Sequence, residues 1–368
     1  MSFQVVAKTA GKRLGELVMG GKTVRTPSIF VQTQRLCVPH LTPDTFARTL
    51  GEADFAGLLV NFEPLLEDGA VIPKTSPLSL AALVGFAGTP TILAVDEPAY
   101  HHGSDENMRN GPDHVAVQNT GGIARMHLND STKMLIKAMR PDAVLSPSDH
   151  YQISSSRLKR IKRSTENTKK YYQLCRDICS ELAVPLAPSV TLHSISGESD
   201  EKRALVMEEM QRRIETVRSQ ASSMVAVICD KEPTALLQDL PGAVYVRGPT
   251  DPKRLAELAG VGVDLFDTTF ATDSATKGVA LNISSDGSFT EINLDDPEHF
   301  DDFTPLSPDC RCIACHGADK TTRSYIHHLV KTTEMLAGVF LASHNLWQYA
   351  SLCRSFRDRA ASPKGDQP

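Results

Sequence analysis

Short apolar runs alternate with segments of helical periodicity over most of this chain. Because the runs are short and largely free of polar residues, they are typical of strands that are buried on both faces. The eight runs are Ile29–Val31, Gly57–Asn61, Thr91–Val95, Ala143–Leu145, Val190–Leu192, Met224–Ile228, Ala243–Val246 and Asp264–Phe266. The helix-like segments between them include Pro43–Leu50, Ser154–Leu182, Asp200–Ser219 and Pro252–Leu258. This alternation predicts an α/β fold in which helices connect parallel strands.

The number of runs matches a (β/α)8 barrel of the TIM type, which uses eight strands in about 250 residues. An open, doubly wound sheet is the alternative architecture, and the strand count alone does not exclude it. Ahead of the first run, Met1–Lys8 alternates apolar and polar residues, which predicts an edge strand rather than a signal peptide. The barrel is therefore the predicted core of the fold.

Composition limits the class of protein. The chain has 368 residues, of which 41% are hydrophobic, so it can bury the core of one large domain or two. Its eight cysteines fit a reducing compartment, and we expect a cytoplasmic location. No apolar run approaches the ~20 residues of a membrane span. A net charge of −5 would not attract nucleic acid, so any contact with RNA needs a local basic patch or a partner.

A dense cysteine cluster near the C-terminus is the strongest chemical signal. It consists of Cys310, Cys312 and Cys315. Three thiolates and one imidazole complete a tetrahedron around Zn²⁺ and leave no open position, so the pattern predicts one structural zinc ion. His344, which follows the apolar stretch Leu336–Leu341, is the expected fourth ligand. His327 and His328 are alternatives, because the intervening helix decides which imidazole faces the metal.

Acidic residues follow several of the predicted strands, where a barrel places its chemistry. Asp96 follows the third strand and Asp267 ends the eighth. Such a pair could supply a nucleophile and an acid or base. Acidic residues just past strands also cap helices and form turns, so the position alone leaves both interpretations open.

Several motifs together resemble the tRNA-guanine transglycosylase family. They are Thr26–Val31, Leu41–Pro43, Gly262–Asp267, Cys310–Cys315, Arg323–Leu329, Glu334–Gly338 and His344–Leu346. Members of this family are (β/α)8 barrels with a zinc subdomain, and they exchange the guanine at the tRNA wobble position for a 7-deazaguanine base. The resemblance implies that His344 is the fourth zinc ligand and that Asp267 occupies the position of the covalent nucleophile. We expect a barrel at 1–300, a zinc-binding subdomain with a helix packed on the barrel at 301–350, and a C-terminal tail at 351–368.

The chain departs from that family where the family binds its base and its RNA. A small-residue turn after the third strand is replaced by Asp96–Tyr100, in which Pro98 fixes one φ angle. Ser148 stands where a base-reading Asp is expected, with Asp149 one step along, and bulky Ile195 replaces a glycine turn. Two arginines that hold the tRNA backbone are missing from the segment after Asp267, which contains Asp273 and Lys277 instead.

A retained barrel and zinc site beside an altered pocket resemble the non-catalytic subunit of the eukaryotic enzyme of this family, which installs queuine. That resemblance implies a heterodimer with a catalytic paralogue, tRNA binding through the complex, and peripheral association with the mitochondrial outer membrane. Asp96 and Asp267 would then be vestigial. Two alternatives remain: a divergent active transglycosylase with Asp267 as nucleophile and Asp96 as proton shuttle, and a zinc-containing barrel that binds RNA or acts as a scaffold.

Two further patterns concern surfaces. A basic run predicts a solvated helix face with Leu158, Ile161 and Leu174 directed inward, and binding of RNA phosphate is the alternative. The run comprises Arg157, Lys159, Arg160, Lys162, Arg163, Lys169 and Lys170. The zinc subdomain and its neighbouring helices are the expected dimer interface, with Leu346, Trp347 and Tyr349 as anchors. Packing of Trp347 on the barrel is the alternative.

Isolated histidines give a weaker signal for a second metal. They are His101, His102 and His114. Without nearby Cys, Asp or Glu at ligand spacing, they are expected to be surface histidines.

Overall fold

The N-terminal segment forms a small antiparallel sheet. A computed structural model describes residues 1–9, 12–61, 78–94, 110–119, 122–151, 156, 158–193, 195, 197–220, 222–229, 234–316 and 320–361. The first three strands are β1 (Ser2–Thr9), β2 (Lys12–Met19) and β3 (Lys22–Thr26), in the order β1-β2-β3. Gly20 and Gly21, with φ of +57° and +75°, make the tight turn between β2 and β3. The predicted edge strand is therefore confirmed as β1.

Among the described residues, nine parallel strands form the central sheet. They are β4 (Ser28–Gln32), β5 (Gly57–Asn61), β6 (Thr91–Ala94), β9 (Ala143–Leu145), β10 (Leu186–Ala187), β11 (Ser189–Leu192), β12 (Met224–Cys229), β13 (Ala243–Arg247) and β14 (Leu265–Asp267). Their order is β10-β9-β6-β5-β4-β14-β13-β12-β11. All eight predicted runs are strands.

The two ends of this sheet are consecutive in the chain, and only Pro188 separates them. β10 pairs with β9, and β11 pairs with β12, so one interrupted strand joins both edges. Proline has no amide hydrogen, which accounts for the break in the ladder at this residue. The sheet is thus a nearly closed barrel, and the open-sheet alternative is wrong.

Helices follow most of the strands. They are α1 (Pro43–Thr49), α2 (Leu80–Leu83), α3 (Asp130–Met139), α4 (Leu158–Leu182), α5 (Asp200–Arg218), α6 (Pro252–Gly260) and α7 (Thr269–Thr276). Proline at the first turn favours the starts of α1 and α6, and the Asp251 side chain caps α6 by accepting from the Arg254 amide. An antiparallel hairpin of β7 (His114–Asn119) and β8 (Gly122–His127) precedes α3.

The C-terminal region returns to the start of the barrel. It contains the hairpin β15 (Val279–Ile283) and β16 (Phe289–Asn293), then α8 (Arg323–Lys331) and α9 (Met335–Ala361). Short 3₁₀ turns lie at Thr234–Asp239 and Pro297–His299. α9 packs against α7 and β15 and also contacts α1 and β4. The expected tail boundary at 351 falls inside α9, where Leu352 and Cys353 are buried.

Alternate strand residues divide the core into an inner and an outer layer. Phe30, Leu59 and Tyr245 point into the barrel, whereas their chain neighbours pack against the helices. Leu17 and Met19 of β2 belong to the inner cluster and cover the end at which the strands begin. The opposite end, where the strands finish, is therefore the mouth in which substrate chemistry would take place.

Candidate metal centre and barrel mouth

The structure brings together the three cysteines and His344. The cysteines lie in the loop between β16 and α8, and His344 lies on α9. The three sulfurs and one imidazole nitrogen lie within 4.8 Å of one another, and all four residues are buried. His344 Nδ1 is 3.4 Å from Cys315 Sγ and 3.8 Å from Cys312 Sγ. This group could hold a metal ion, and its donor set is that of a structural zinc site.

A tight turn of the cysteine loop gathers the sulfurs. The amides of Cys315 and His316 donate to the Cys312 carbonyl at 3.2 and 2.9 Å. The Cys312 amide donates to Cys310 Sγ at 3.4 Å. Hydrogen bonds from Cys310 and then from Cys312 hold the pKa of Cys315 well below its usual range, and the pKa of Cys310 is raised. One thiol of the group is thus readily deprotonated, as a metal ligand must be.

The orientation of His344 is fixed from the side opposite the sulfurs. Its Nε2 lies 3.0 Å from the carbonyl of Leu281, which can only accept, so the proton is on Nε2 and the Nδ1 lone pair faces the cysteines. Asn345 accepts from the Leu281 amide at 2.9 Å and donates to the carbonyls of Val279 and Ala271. These contacts hold α9 against β15 and place the imidazole.

The two alternative histidine ligands lie elsewhere. His327 is buried, and its Nδ1 lies 2.7 Å from the carbonyl of Leu294. His328 is exposed and stacks on the ring of Tyr325. Neither joins the four-residue group, so only His344 among these histidines is positioned as the fourth ligand.

At the barrel mouth, Asp267 ends β14 with a side chain that is only 2% exposed. Its carboxylate accepts from the backbone amides of Gly248 and Thr269, the latter at 3.0 Å. Burial raises the pKa of Asp267 to about 6, although both amides act in the opposite direction. The carboxylate at the expected nucleophile position is therefore enclosed by protein.

Asp149 is fully engaged by neighbouring side chains. Arg160 binds it through two hydrogen bonds, at 2.7 and 2.8 Å. Asn110 and Asn167 each donate to it at 2.8 Å. Asp149 is completely buried, so this arrangement is a satisfied internal ion pair that ties the end of β9 to α4. Its carboxylate has no free capacity for reading a base.

Ser148 is joined to a short chain of hydrogen-bonding side chains. Its hydroxyl lies 2.8 Å from that of Thr191, which lies 2.9 Å from His150 Nδ1. The Ser148 hydroxyl thus contacts a residue of β11. Ile195, the other predicted departure here, is partly buried against the main core.

Side chains from α4 and α5 occupy the space between the ends of β9 and β11. The ring centres of Tyr151 and His193 are 4.2 Å apart. The guanidinium carbons of Arg160 and Arg213 lie 5.8 and 5.9 Å from the centre of the Tyr151 ring. Arg213 donates to Ser164 at 2.7 Å and is itself buried. Two cations and two aromatic rings thus pack together between the ends of β9 and β11.

The basic run is mostly a solvated face, as predicted, with one exception. The exposed members are Lys159, Lys162, Arg163, Lys169 and Lys170. Ile161 is buried, and Leu158 and Leu174 pack against the core. Arg160 does not belong to this face, because it turns inward to Asp149. Its assignment to the solvated run was therefore wrong.

The expected interface anchors are mostly internal. Leu346 and Tyr349 are fully buried, and Trp347 packs against the core, so packing of the terminal helix is the correct explanation of these residues. Other apolar side chains of the same region are exposed instead. The exposed set comprises Phe300, Phe303, Tyr325, Met335 and Leu336, with 75%, 74%, 46%, 88% and 39% exposure. We call these five residues the aromatic patch.

Some predicted features lie outside the described residues. They are Asp96, Pro98, His101, His102 and Arg157. The residues that sequence reasoning overlooked are the partners of Asp149, namely Asn110, Arg160 and Asn167. The polar residues Ser164 and Asn167 were the available signal for this arrangement. They are buried on a face of α4 that was expected to carry apolar side chains, so they need polar partners inside the protein.

This chain is similar to known proteins of one family. A family model described as TGT, queuine tRNA-ribosyltransferase, matches residues 8–363. Proteins named queuine tRNA-ribosyltransferase accessory subunit 2 are similar over nearly their whole length. The one from Anopheles gambiae is 25% identical over 98% of this chain and 87% of its own, and the one from Ixodes scapularis is 26% identical over 97% and 96%. In the described part of the chain, no helix is long and apolar enough to cross a membrane.

Proposed function

We propose that this chain, which belongs to the queuine tRNA-ribosyltransferase family, is the non-catalytic accessory subunit of a heterodimer that exchanges guanine for queuine at the wobble position of tRNA. Its relatives from Anopheles gambiae and Ixodes scapularis carry the name of accessory subunit 2, which supports this assignment. The catalytic chain of the same family would be its partner, and tRNA would bind to the complex.

The state of the barrel mouth is the observation that carries the proposal. A carboxylate attacks an anomeric carbon only when base and ribose are held in line with it. Asp267 is buried, Asp149 accepts hydrogen bonds from Arg160 and two side-chain amides, and two arginines lie near the ring of Tyr151. In the described part of the mouth, the carboxylates of Asp149 and Asp267 are thus occupied by protein donors rather than left to hold a purine.

The metal is proposed to be one Zn²⁺ per chain, held by Cys310, Cys312, Cys315 and His344. Three thiolates and an imidazole favour zinc over hard cations such as Mg²⁺. When bound, the ion would supply a structural clip between the cysteine loop and α9. The ligands are buried, which agrees with a structural role rather than a catalytic one.

The aromatic patch is the proposed contact surface for the catalytic subunit. Aromatic and Met side chains are enriched at protein interfaces, and all five of these apolar residues are exposed to solvent. Phe303→Asp should prevent co-purification with the catalytic chain, whereas Met134→Asp, on the exposed part of α3, should not. Co-purification that survives Phe303→Asp together with Met335→Asp would place the interface elsewhere.

The location is proposed from the resemblance alone: the cytoplasm, with peripheral attachment to the mitochondrial outer membrane. Fractionation of cells that express the tagged chain would test both parts. Alkaline carbonate should release the mitochondrial fraction of the chain, because a peripheral protein has no spanning segment. A fraction that resists this extraction would contradict peripheral attachment.

Base exchange on tRNA tests the proposed function directly. Incorporation of labelled guanine would be measured with this chain alone, with a catalytic paralogue alone, and with both together. The proposal expects activity only when the catalytic chain is present, and more of it in the mixture. Exchange or a covalent RNA adduct formed by this chain alone would instead support a divergent enzyme. An unchanged rate and no stable complex in the mixture would support a scaffold barrel.

A further inference from the structure

A second group of metal-ligating side chains lies at the open end of the β7–β8 hairpin. His114 and His127 are directly opposite each other in the antiparallel ladder, and their ring centres are 5.1 Å apart. Asp113 lies between them. One of its carboxylate oxygens is 2.9 Å from His114 Nδ1, and the other is 3.6 Å from His127 Nδ1. Sequence spacing concealed this group, because two of its members follow one another and the third comes from the partner strand.

We propose that Asp113, His114 and His127 form a second metal site, for a divalent first-row transition ion such as Zn²⁺, Ni²⁺ or Cu²⁺. One ligand atom from each residue lies within 4.8 Å of the others. Tetrahedral ligands at the usual Zn–N and Zn–O lengths are about 3.3 Å apart, so a small contraction suffices. Two imidazoles and one carboxylate select transition ions over Mg²⁺ or Ca²⁺, and water completes the shell.

The backbone around these ligands is held by buried contacts. The buried hydroxyl of Tyr171 donates to the carbonyl of His114 at 3.1 Å and also to that of Gly111. Thr132 donates to the carbonyl of His127 at 2.7 Å. The ring of His114 lies so close to Gly111 that a Cβ there would be 2.1 Å from it, so only glycine permits this rotamer. The ligands are therefore positioned in advance, which lowers the cost of binding an ion.

The site differs from the cysteine centre in exposure and in donor set. Asp113 and His127 are exposed and His114 is half-buried, whereas the four residues of the cysteine group are buried. An ion here would exchange with solvent and would join the two strands of the hairpin. This proposal does not depend on the exchange activity.

Calorimetric titration of the full chain with Zn²⁺ tests this site. Prior dialysis against a weak chelator would clear an exposed site while leaving the buried centre loaded, as metal analysis would verify. Wild-type protein should then bind one further equivalent. Asp113→Asn and His127→Ala should each weaken this binding by roughly tenfold or more, since even outer-shell changes cost 10–100-fold. Both residues are exposed, so circular dichroism should show an unchanged fold.

His328→Ala is the matched control, because it removes another exposed imidazole on α8 without touching the group. Cu²⁺ bound to wild-type protein should show nitrogen coupling in its electron paramagnetic resonance spectrum, and His127→Ala should reduce it. The proposal is overturned if no further equivalent binds. It is also overturned if Asp113→Asn and His127→Ala bind as tightly as wild type, or if His328→Ala loses affinity equally.

Discussion

The cysteine centre and the barrel mouth both bury polar side chains, but they leave those side chains with opposite capacities. At the cysteine centre, three sulfurs and one nitrogen converge on a common point, while the other nitrogen of His344 is bound to the Leu281 carbonyl. At the mouth, protein donors surround two carboxylates among the described residues. Asp149 accepts from Asn110, Arg160 and Asn167, and Asp267 accepts from two backbone amides.

This difference shows what a site needs besides the right residue types. A buried donor atom can serve a ligand only when its own protein does not already satisfy it. By that criterion the C-terminal loop retains binding capacity, whereas the carboxylates of Asp149 and Asp267 do not. The proposed loss of catalysis therefore rests on how these two carboxylates are occupied, not on the loss of an Asp at the end of β14.

Removal of a metal ligand should produce the largest effect. Cys312→Ser should reduce the metal content from one equivalent to near zero and destabilise the chain by several kcal/mol, because metal binding here is also folding energy. Elemental analysis and urea unfolding would measure both. Cys37→Ser is the matched control, since Cys37 is exposed and outside the group. Full metal content in Cys312→Ser would refute the assigned ligand set.

Breaking the ion pair at the mouth should have the next largest effect. Arg160→Met leaves the buried Asp149 without its cation, and one unpaired buried charge costs about 3 kcal/mol. Lys162→Met, on the exposed face of the same helix, should change stability by about 0.5 kcal/mol or less. Urea unfolding of both variants would test this. Equal stabilities would mean that Asp149 does not depend on Arg160.

Asp267 should make the free energy of unfolding fall as the pH rises, whereas a salt-bridged carboxylate makes it rise. Its folded-state pKa is raised from 3.8 to about 6, so the native state holds a proton that the unfolded chain releases in that window. Its contribution is fully present below pH 3.8 and is lost as the pH rises through about 6. Relative to wild type, Asp267→Asn should thus gain roughly 2–3 kcal/mol between about pH 4 and pH 7.5.

Urea unfolding at a series of pH values measures that difference. Asp273→Asn is a useful control, because Asp273 lies on α7 close to Asp267 in sequence and is only half-buried. Parallel stability curves for wild type and Asp267→Asn would show that Asp267 is ionised in the native state throughout, and would weaken the contrast between the two regions.

Much of the fold could be predicted because local patterns and long-range packing agree. Apolar runs such as Met224–Ile228 have one stable environment, a strand covered on both faces, and eight of them favour a barrel, whereas its closure was decided by the strand order. The strand break at Pro188 could not be predicted from such a pattern. Closure there depends on pairing with both β9 and β12, which sequence periodicity does not report.

The metal site was more predictable than the mouth for a related reason. Three cysteines within six residues are close in space whatever the fold, and only the choice of histidine required the structure. The partners of Asp149 come from two separate segments, the one before β7 and α4, and Arg160 resembled one more solvated cation on α4. Whether a charged residue faces solvent or turns inward depends on a carboxylate that is adjacent only after folding.

The smallest expected effect is the most direct test of the contrast between the regions. If Asp267 is vestigial, Asp267→Asn should leave base exchange by the mixed complex within about twofold, far from the ~1.4 kcal/mol that makes a tenfold change. The substitution keeps the shape of the side chain and the assembly surface, so it removes only nucleophilic character. Initial rates on tRNA with saturating catalytic subunit would measure this. The corresponding Asp→Asn change in the catalytic chain is the positive control and should abolish exchange. A large loss from Asp267→Asn in this chain, or an RNA adduct trapped on Asp267, would mean that the enclosed carboxylate opens to substrate in the complex.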